Sequence, residues 1–283
     1  MTFGTPLQSP AERIAGLLAT ATLHASPCGN GFLQWQQWSD SGAGPPLLLL
    51  HGGFGSWNHW FSTIARLRQT RELWSLDMPG LGSSANVFRR ARPQHLAAII
   101  APGVKRLLGH RSIDIAAFSF GAMVGVHLAA ALPCERFYAI GAAGCGKLHV
   151  QVPLLPPPRE AALTAAAADV HRTNLRTLMF SEQFTIDELA IHLQATNLAQ
   201  ARFNSRPLSL TPGFTDALPG LSSSLIGIWG SDDATAGGAI GVERRRDIFH
   251  TAQSGAQFHV LDGVGHWAMY EAADAVVDIL LAD

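Results

Sequence analysis

The sequence predicts an α/β protein with a doubly wound, mostly parallel sheet and a helical lid insertion, and two observations support this prediction. Short apolar runs, most of them ending in glycine, alternate along the chain with longer stretches of helical spacing. Residues 146–210 interrupt this alternation, because helical patterns follow one another there with no strand-like run between them. Alternating strands and helices are typical of right-handed crossovers in a parallel sheet.

Six short apolar runs predict the strands of this sheet. They lie at 46–53, 73–80, 112–118, 136–144, 223–230 and 256–263. A strand that is apolar throughout is buried on both faces, which suits a parallel sheet covered by helices. The intervening stretches predict helices at 58–68, 95–109, 120–132 and 271–282. Residues 32–38 alternate in polarity and predict an antiparallel edge strand or a hairpin arm.

The predicted insertion begins with a proline-rich joint at 152–160, which an alanine-rich helix and a second helical stretch at 185–203 follow. A helical segment of this size after a sheet strand is typical of a lid that covers the strand ends. We therefore predict a core formed by residues 1–145 and 211–283, with a helical lid (cap) at 146–210.

Composition excludes several classes of partner. Apolar residues make up 47% of the 283-residue chain, charged residues make up 14%, and the formal net charge is -1. A nucleic-acid partner or an anionic membrane surface would require clustered lysine and arginine. No apolar run approaches the roughly 18 residues of a membrane-spanning helix. We interpret the arginines of "ERRRD" at 243–247 as a solvated helix face.

Cysteine usage and the amino-terminal segment bear on the compartment. Cys28, Cys134 and Cys145 are three cysteines at unrelated spacings, which predicts neither a disulfide framework nor a structural metal site. Residues 1–27 lack the leading basic region of a signal peptide. The sequence thus predicts a cytoplasmic protein.

Polar side chains that could carry chemistry follow three of the predicted strands. Ser119 follows the run at 112–118, Asp232 and Asp233 follow the run at 223–230, and His266 follows the run at 256–263. Because sites in open α/β sheets lie at the carboxyl ends of the strands, these side chains are expected to meet. A hydroxyl, a carboxylate and an imidazole in this order are the parts of an acyl-transfer triad.

Each part of such a triad has a physical role. Ser119 becomes a nucleophile only when a neighbouring imidazole accepts its proton, which makes His266 the candidate general base. A carboxylate, Asp233, would hold that imidazole in one tautomer and stabilise its cation. The backbone N–H groups of Gly53 and Phe120 are the candidate donors to the oxyanion of the tetrahedral intermediate.

Five segments give the chain a family resemblance: "HGG" at 51–53, "DMPGLGSS" at 77–84, "FSFGA" at 118–122, "WGSDD" at 229–233 and "GVGHWAMYE" at 263–271. With them the chain resembles the α/β-hydrolase fold superfamily from about residue 45 to the carboxyl terminus, outside the predicted lid. The resemblance implies Asp233 rather than Asp232 as the acid, because the family's acid most often stands three residues after the motif's glycine. It also implies that Asp77 is a structural residue.

The same segments depart from the family pattern at one position. The usual serine motif is Gly-x-Ser-x-Gly, and Ala117 replaces its first glycine. Since the strained turn demands small side chains, alanine is expected to preserve it.

Haloalkane dehalogenases and epoxide hydrolases of this fold have an aspartate where this chain has Ser119, so the resemblance disfavours their chemistry.

Several further residues are candidates for the substrate pocket. Phe54, Phe118 and Trp267 adjoin the candidate catalytic residues and predict an apolar acyl or alcohol pocket. Arg202 and Arg206 follow the second helical stretch of the predicted lid, where they would either bind a substrate carboxylate or be solvated at the surface.

These residues predict a serine hydrolase that cleaves a small, largely apolar carboxylic ester, thioester or lactone through an acyl-enzyme. One alternative is the carbon–carbon hydrolysis of a 2-hydroxy-6-oxo-dienoate, because "GHWAMYE" is similar to the histidine motif of the hydrolases that catalyse it. Phe118 disfavours this alternative, since those enzymes usually carry an asparagine directly before the serine. Perhydrolysis and a non-catalytic, ligand-binding homologue also remain open.

The expected partner is a small-molecule substrate, while the oligomeric state is left open. No cofactor is expected, because side chains and backbone donors can carry out the whole reaction. The sequence contains neither a metal-ligand cluster nor a dinucleotide-binding glycine motif.

Overall fold

The computed structural model describes residues 8–157 and 164–282, and its strands form one sheet. The strands are β1 (Thr22–Cys28), β2 (Gly31–Ser39), β3 (Leu47–Leu50), β4 (Leu73–Leu76), β5 (Ile113–Phe118), β6 (Cys134–Ile140), β7 (Ser224–Gly230) and β8 (Gln257–Leu261). The strand order across the sheet is β1-β2-β4-β3-β5-β6-β7-β8. The six strands β3 to β8 run parallel, so their carboxyl ends share one edge of the sheet.

Residues 32–38 lie in β2, which is an arm of a hairpin with β1. Cys28 pairs with Gly31 across the turn, and Gly29 in the turn has a φ of 57°, which glycine adopts without strain. β2 also pairs antiparallel with β4. The hairpin interpretation is therefore confirmed, whereas the edge-strand interpretation applies to β1.

Helices cover both faces of the sheet. They are α1 (Pro10–Leu18), α2 (Phe61–Leu67), α3 (Pro93–Leu108), α4 (Phe120–Ala131), α5 (Ala165–Leu178), α6 (Glu188–Gln200), α7 (Arg206–Ser209), α8 (Gly238–Ala252), α9 (Ala268–Glu271) and α10 (Ala273–Leu281). Short 3-10 turns lie at Trp57–Trp60, Gly146–Leu148 and Thr215–Gly220. The helix predicted at 271–282 is divided, because Ala272 between α9 and α10 has non-helical dihedral angles of -129° and 50°.

The core consists of two apolar clusters, one on each face of the sheet. Along β3, Leu48 and Leu50 belong to one cluster, while Leu47 and Leu49 belong to the other. All four leucines have no exposed surface. This division follows from the twofold side-chain alternation of a strand, and it explains why the predicted strands are apolar on every residue. The predicted α/β class is confirmed.

The segment between β6 and β7 is helical throughout its described part. It contains α5, α6 and α7, and no strand occurs among its described residues. Leu175 of α5 and Leu193 of α6 are buried in one of the two core clusters, so these helices pack against the sheet domain. The joint predicted at 152–160 lies partly outside the described residues, and a separate lid at 146–210 stays a prediction.

The interpretation of residues 243–247 as a solvated helix face is wrong for one residue. Arg245 lies in α8 and is 1% exposed. Its neighbours at helical spacing, Gly241 and Phe249, are buried as well, because this face of α8 packs on the sheet domain. Arg244 and Asp247 on the other faces are exposed, as expected.

In the described part of the chain, no helix combines the length and apolar character that crossing a bilayer requires.

Candidate active site

Ser119 occupies the turn between β5 and α4. Its φ of 51° and ψ of -115° are unusual for a residue with a side chain, and such strain is typical of functional turns. The turn is fixed on both sides, because the Ser119 N–H donates to the Ile140 oxygen at 2.9 Å and the Ser119 oxygen accepts the Ala143 N–H at 3.2 Å. The structure thus holds the Ser119 hydroxyl at the carboxyl edge of the sheet.

A glycine allows α4 to start so close to the sheet. A Cβ on Gly121 would lie 2.4 Å from the His51 oxygen and 2.9 Å from the Leu50 oxygen, which is closer than backbone atoms permit. The second glycine of the serine motif is therefore required for backbone approach. Its first position, Ala117, has no exposed surface and lies in β5.

His266 connects the hydroxyl of Ser119 to a buried carboxylate. Its Nε2 lies 3.0 Å from Ser119 Oγ, and its Nδ1 lies 2.8 Å from Asp233 Oδ2. In this geometry Nδ1–H donates to the carboxylate and Nε2 is free to accept the proton of the hydroxyl. His266 is 4% exposed and Asp233 has no exposed surface. The arrangement can generate a serine nucleophile.

The second oxygen of Asp233 is held by its own loop. Oδ1 accepts hydrogen bonds from the Thr235 N–H at 2.8 Å, the Thr235 hydroxyl at 2.7 Å and the Ala236 N–H at 3.2 Å. Burial by itself would raise the pKa of Asp233. The charge and hydrogen bond of His266, with smaller contributions from Thr235 and Arg245, outweigh burial and hold that pKa below its usual value. Asp233 is therefore anionic at neutral pH.

Asp232 does not share this environment. Its carboxylate accepts a hydrogen bond from the Ser231 hydroxyl at 2.9 Å, and its N–H donates to the Val264 oxygen. The geometry thus brings Asp233 rather than Asp232 to His266. Asp77 accepts the N–H groups of Trp57 and Ser83, which is a structural role in the loop after β4.

Two buried histidines hold the glycine-rich loop after β3 through the backbone of Gly52. His51 Nδ1 lies 2.8 Å from the Gly52 oxygen, and His51 Nε2 accepts the Met78 N–H at 2.9 Å. On the other side, the Gly52 N–H donates to His59 Nδ1 at 3.2 Å. These contacts fix the proton on Nδ1 of His51 and on Nε2 of His59. Gly53, a candidate oxyanion donor, directly follows the residue held in this way.

Both of these imidazoles are neutral. Burial lowers the pKa of His51 to about 4, although its hydrogen bond to Gly52 acts in the opposite direction. Burial, with the charges of His51 and His266, lowers the pKa of His59 well below its usual value. Because neither ring carries a charge at neutral pH, neither opposes the formation of an imidazolium at His266. No motif spacing in the sequence identifies His59.

The other candidate oxyanion donor, the Phe120 N–H, belongs to the first residue of α4. The first N–H groups of a helix have no acceptor within the helix, and the helix dipole favours negative charge beside them. Gly53 approaches this residue closely, since a Cβ built on Gly53 would lie 3.5 Å from Phe120 Cβ. The two candidate donors are thus neighbours, and both residues line the cavity described next.

A cavity of about 810 Å³ opens onto Ser119 and His266. Phe54, Phe118 and Arg206 line it, as the sequence predicts. The apolar side chains that join them are Phe120, Val150, Val152, Leu154, Leu155, Pro156, Pro157, Leu178, Met179, Leu198, Ala199, Ala201 and Leu210. Its described lining contains no acidic residue and no lysine, so the cavity is suited to apolar groups.

Two residues predicted for the pocket do not lie there. Trp267 is fully buried beside the site, where its Nε1–H donates to the His59 oxygen at 2.8 Å and its ring packs on Tyr270. Arg202 is held at the surface by the oxygens of Gly82 and Ser84. The described residues that line the cavity include neither of them. Competing hydrogen-bond acceptors account for both corrections.

The cavity lining includes polar residues that the sequence analysis does not identify. His149, Ser205 and Thr235 all line it. Ser205 Oγ would lie 2.3 Å from a Cβ on Gly53, so the hydroxyl lies directly beside this glycine. Burial, with the charges of His266 and Arg245, lowers the pKa of His149 to about 4. His149 and Ser205 come from segments that are distant from the catalytic motifs in sequence, whereas Thr235 follows Asp233 by two residues and no motif spacing marks it.

The fold and this geometry define an α/β protein with a serine, a histidine and an aspartate in hydrogen-bond contact at the carboxyl edge of its sheet. A family model described as the alpha/beta hydrolase family matches residues 47–279. The chain belongs to that family.

Two proteins that are similar to this chain in sequence carry the names of different activities. The chain is 26% identical over 256 residues to a 2-hydroxymuconate semialdehyde hydrolase of Pseudomonas sp. (strain CF600), and the match covers 83% of this chain and 84% of that protein. It is 31% identical over 124 residues to the dihydrolipoyllysine-residue acetyltransferase component of an acetoin cleaving system of Pseudomonas putida. That match covers 42% of this chain and only 32% of the acetyltransferase component.

Among solved structures, the chain is similar to the carboxylesterase CesB from Bacillus subtilis. The TM-score is 0.69, the sequence identity is 18%, and the match covers 96% of this chain and 94% of the esterase. At this identity the likeness concerns the fold.

Proposed function

We propose that the chain is a serine hydrolase that cleaves a small, largely apolar carboxylic ester, thioester or lactone through an acyl-enzyme. One observation supports this proposal above the others. Ser119 Oγ, His266 and Asp233 form a continuous hydrogen-bonded series, with distances of 3.0 Å and 2.8 Å between neighbouring side chains. Asp233 rather than Asp232 is the proposed acid.

In the proposed acylation, Ser119 Oγ attacks the substrate carbonyl carbon while His266 Nε2 accepts the hydroxyl proton. Asp233 stabilises the resulting imidazolium, and the N–H groups of Gly53 and Phe120 stabilise the oxyanion. Collapse of the tetrahedral intermediate breaks the bond to the alcohol, thiol or lactone oxygen, which takes the proton back from His266. Water then attacks the acyl-enzyme by the same route and restores Ser119.

The cavity supports the apolar character of the proposed substrate. Phe118 and Phe120 flank Ser119 and line the cavity with aliphatic side chains such as Leu178 and Leu198. Such a lining favours acyl or alcohol groups without charge.

We further propose that residues 146–210 act as a lid, because Ser205 and Leu178, which line the cavity, come from this segment. Cys28, Cys134 and Cys145 are free thiols, which supports the proposed reducing, cytoplasmic compartment.

A second candidate function is the hydrolysis of a carbon–carbon bond. Arg206 lines the cavity, where a guanidinium could bind a substrate carboxylate, and one relative is named a 2-hydroxymuconate semialdehyde hydrolase. Phe118 directly before Ser119 offers no polar contact to such a substrate. We therefore rank this function second.

The test compares the wild type with Ser119→Ala on p-nitrophenyl acetate and butyrate. Loss of about 10⁴-fold or more in kcat with an unchanged melting temperature is expected, since the nucleophile is removed. Ser254→Ala, at an exposed serine, is the matched control. Full activity of Ser119→Ala would overturn the serine mechanism. Faster cleavage of a 2-hydroxy-6-oxo-dienoate than of any ester would establish the second candidate instead.

A further inference from the structure

Arg245 is a buried cation that donates to four backbone oxygens and also contacts the thiol of Cys145. Its Nη1 donates to the oxygens of Ala236 at 3.2 Å and Gly241 at 2.9 Å. Its Nη2 donates to the oxygens of Leu148 at 3.0 Å and Thr235 at 3.1 Å. One guanidinium thus joins α8, the loop after β7 and the 3-10 turn that begins the segment 146–210.

This arginine forms no ion pair with a carboxylate of the described chain. Burying an unpaired charge is costly, so the fold must contain something that compensates for it. The nearby negative charge is that of Asp233, whose ionised form the charge of Arg245 stabilises. Both groups are buried, so their interaction is weakly screened.

A single peptide unit joins the two groups. The oxygen of Thr235 and the N–H of Ala236 belong to the same peptide plane. The oxygen accepts from Arg245 Nη2, while the N–H donates to Asp233 Oδ1 at 3.2 Å. Hydrogen bonds in such a series polarise and strengthen each other. The guanidinium therefore orients and polarises the peptide that holds the carboxylate.

We propose that Arg245 is a positioning residue for the catalytic acid, which it serves by fixing the 235–236 peptide and balancing the buried charge of Asp233. This role rests on the proposed function, because Asp233 must act through His266. It assigns a purpose to an arginine whose sequence context indicates only a surface residue. The other groups that face Asp233 or His266 are Ser119, Thr235, His59, His149 and Cys145.

The test uses Arg245→Met, which removes the charge, and Arg245→Lys, which keeps it. For Arg245→Met we expect kcat to fall by about 10-fold to 100-fold, the scale of a misplaced catalytic group, while KM changes less than about twofold. The acid limb of the kcat/KM profile should move to higher pH, because the pKa of Asp233 rises when the nearby cation that lowers it is lost. Arg245→Lys should retain the wild-type acid limb and lose less kcat.

Arg244→Met is the matched control, since Arg244 is the exposed neighbour of Arg245 on α8. It should leave kcat and the pH profile unchanged. Wild-type kcat and an unmoved acid limb in a folded Arg245→Met variant would overturn the proposal. If Arg245→Met does not fold, Arg245→Lys decides, because the lysine cannot span four backbone oxygens. Unchanged kcat in Arg245→Lys would then overturn the role.

A second readout does not depend on catalysis. The proton between His266 Nδ1 and Asp233 Oδ2 is expected to give a low-field proton NMR resonance, which should shift in Arg245→Met and stay in Arg244→Met. The resonance could shift in Arg245→Met while Ser119→Ala keeps full activity. That pair of results would support the positioning of Asp233 and reject the proposed serine mechanism. An unmoved resonance would reject the positioning role alone.

Discussion

Ala117 and Gly125 face each other where β5 packs against α4. A Cβ on Gly125 would lie 3.0 Å from the Cβ of Ala117 and 2.8 Å from the ring of Phe137. The missing side chain of Gly125 therefore makes room for the methyl group of Ala117. This relationship explains how the serine motif accepts alanine at a position where glycine is usual.

Gly125→Ala should lower the free energy of unfolding by about 1–3 kcal/mol, because the added methyl group overpacks the contact with Ala117 and Phe137. Urea unfolding at equilibrium measures this change. Gly16→Ala in α1 is the control, because a Cβ at Gly16 meets no atom within 4 Å. That variant should be neutral or gain up to about 1 kcal/mol from helix propensity. Equal effects of the two substitutions would contradict the prediction.

Asp233→Asn should reduce kcat by about 10³-fold to 10⁴-fold, because an amide at this position favours the wrong tautomer of His266. The measurement is the hydrolysis of p-nitrophenyl butyrate at neutral pH. Asp232→Asn, one residue away, should retain wild-type activity. If Asp232→Asn proves the more damaging of the two, Asp233 is not the acid.

His59→Phe should lower kcat by about 10-fold, since the Gly52 N–H loses its acceptor and the loop that carries Gly53 loses one of its two anchors. The KM for a small ester should change much less, because the side chain of His59 is almost fully buried. His250→Phe, at an exposed histidine of α8, is the control. A change in KM alone would indicate a role in substrate binding instead.

The protein should become less stable as the pH falls from about 6.5 to 4. The pKa of His51 and that of His149 are each lowered by burial to about 4, so the unfolded chain binds protons in this window that the folded chain does not. By linkage, each such histidine contributes stability above its unfolded pKa and loses it on acidification, with a slope of at most about 1.4 kcal/mol per pH unit.

His149→Leu tests this account by urea unfolding at pH 7, 6 and 5. Nδ1 of His149 is buried without a hydrogen-bond partner among the described residues, so leucine should be tolerated at pH 7. The variant should lose less stability than the wild type between pH 7 and 5. Because His149 is partly exposed, we expect a change in slope below the limit of one proton. An identical slope would contradict the prediction.

The rim of the cavity should favour substrates with an aliphatic chain. Leu155 and Leu210 line the cavity and are nevertheless 46% and 38% exposed, so a substrate chain can cover them. Burial of each methylene is worth about 0.8 kcal/mol, or roughly a fourfold gain in kcat/KM along a p-nitrophenyl ester series. Leu155→Asn should flatten this dependence without changing acetate hydrolysis. Ile240→Asn, at an exposed residue outside the cavity lining, should leave it intact.

Local pattern was sufficient to predict the six parallel strands and the three side chains at their carboxyl edge, whereas β1 was not predicted. Apolar runs mark buried parallel strands because both faces of such strands are covered. The carboxyl ends of parallel strands meet at one edge, so the sequence predicts that Ser119, Asp233 and His266 lie together. The choice of Asp233 over Asp232 came from the family resemblance, and the structure shows which of them contacts His266.

Tertiary contacts decided the surroundings of that triad. Arg245 is buried, Arg202 remains at the surface and His59 holds Gly52, because each side chain binds backbone groups of segments far away in sequence. Such partners depend on how helices pack over the sheet, which no local pattern records. The sequence by itself therefore determined the class of fold and indicated the candidate catalytic groups. Packing decided which other residues orient these groups, since orientation arises from contacts that exist only after the chain has folded.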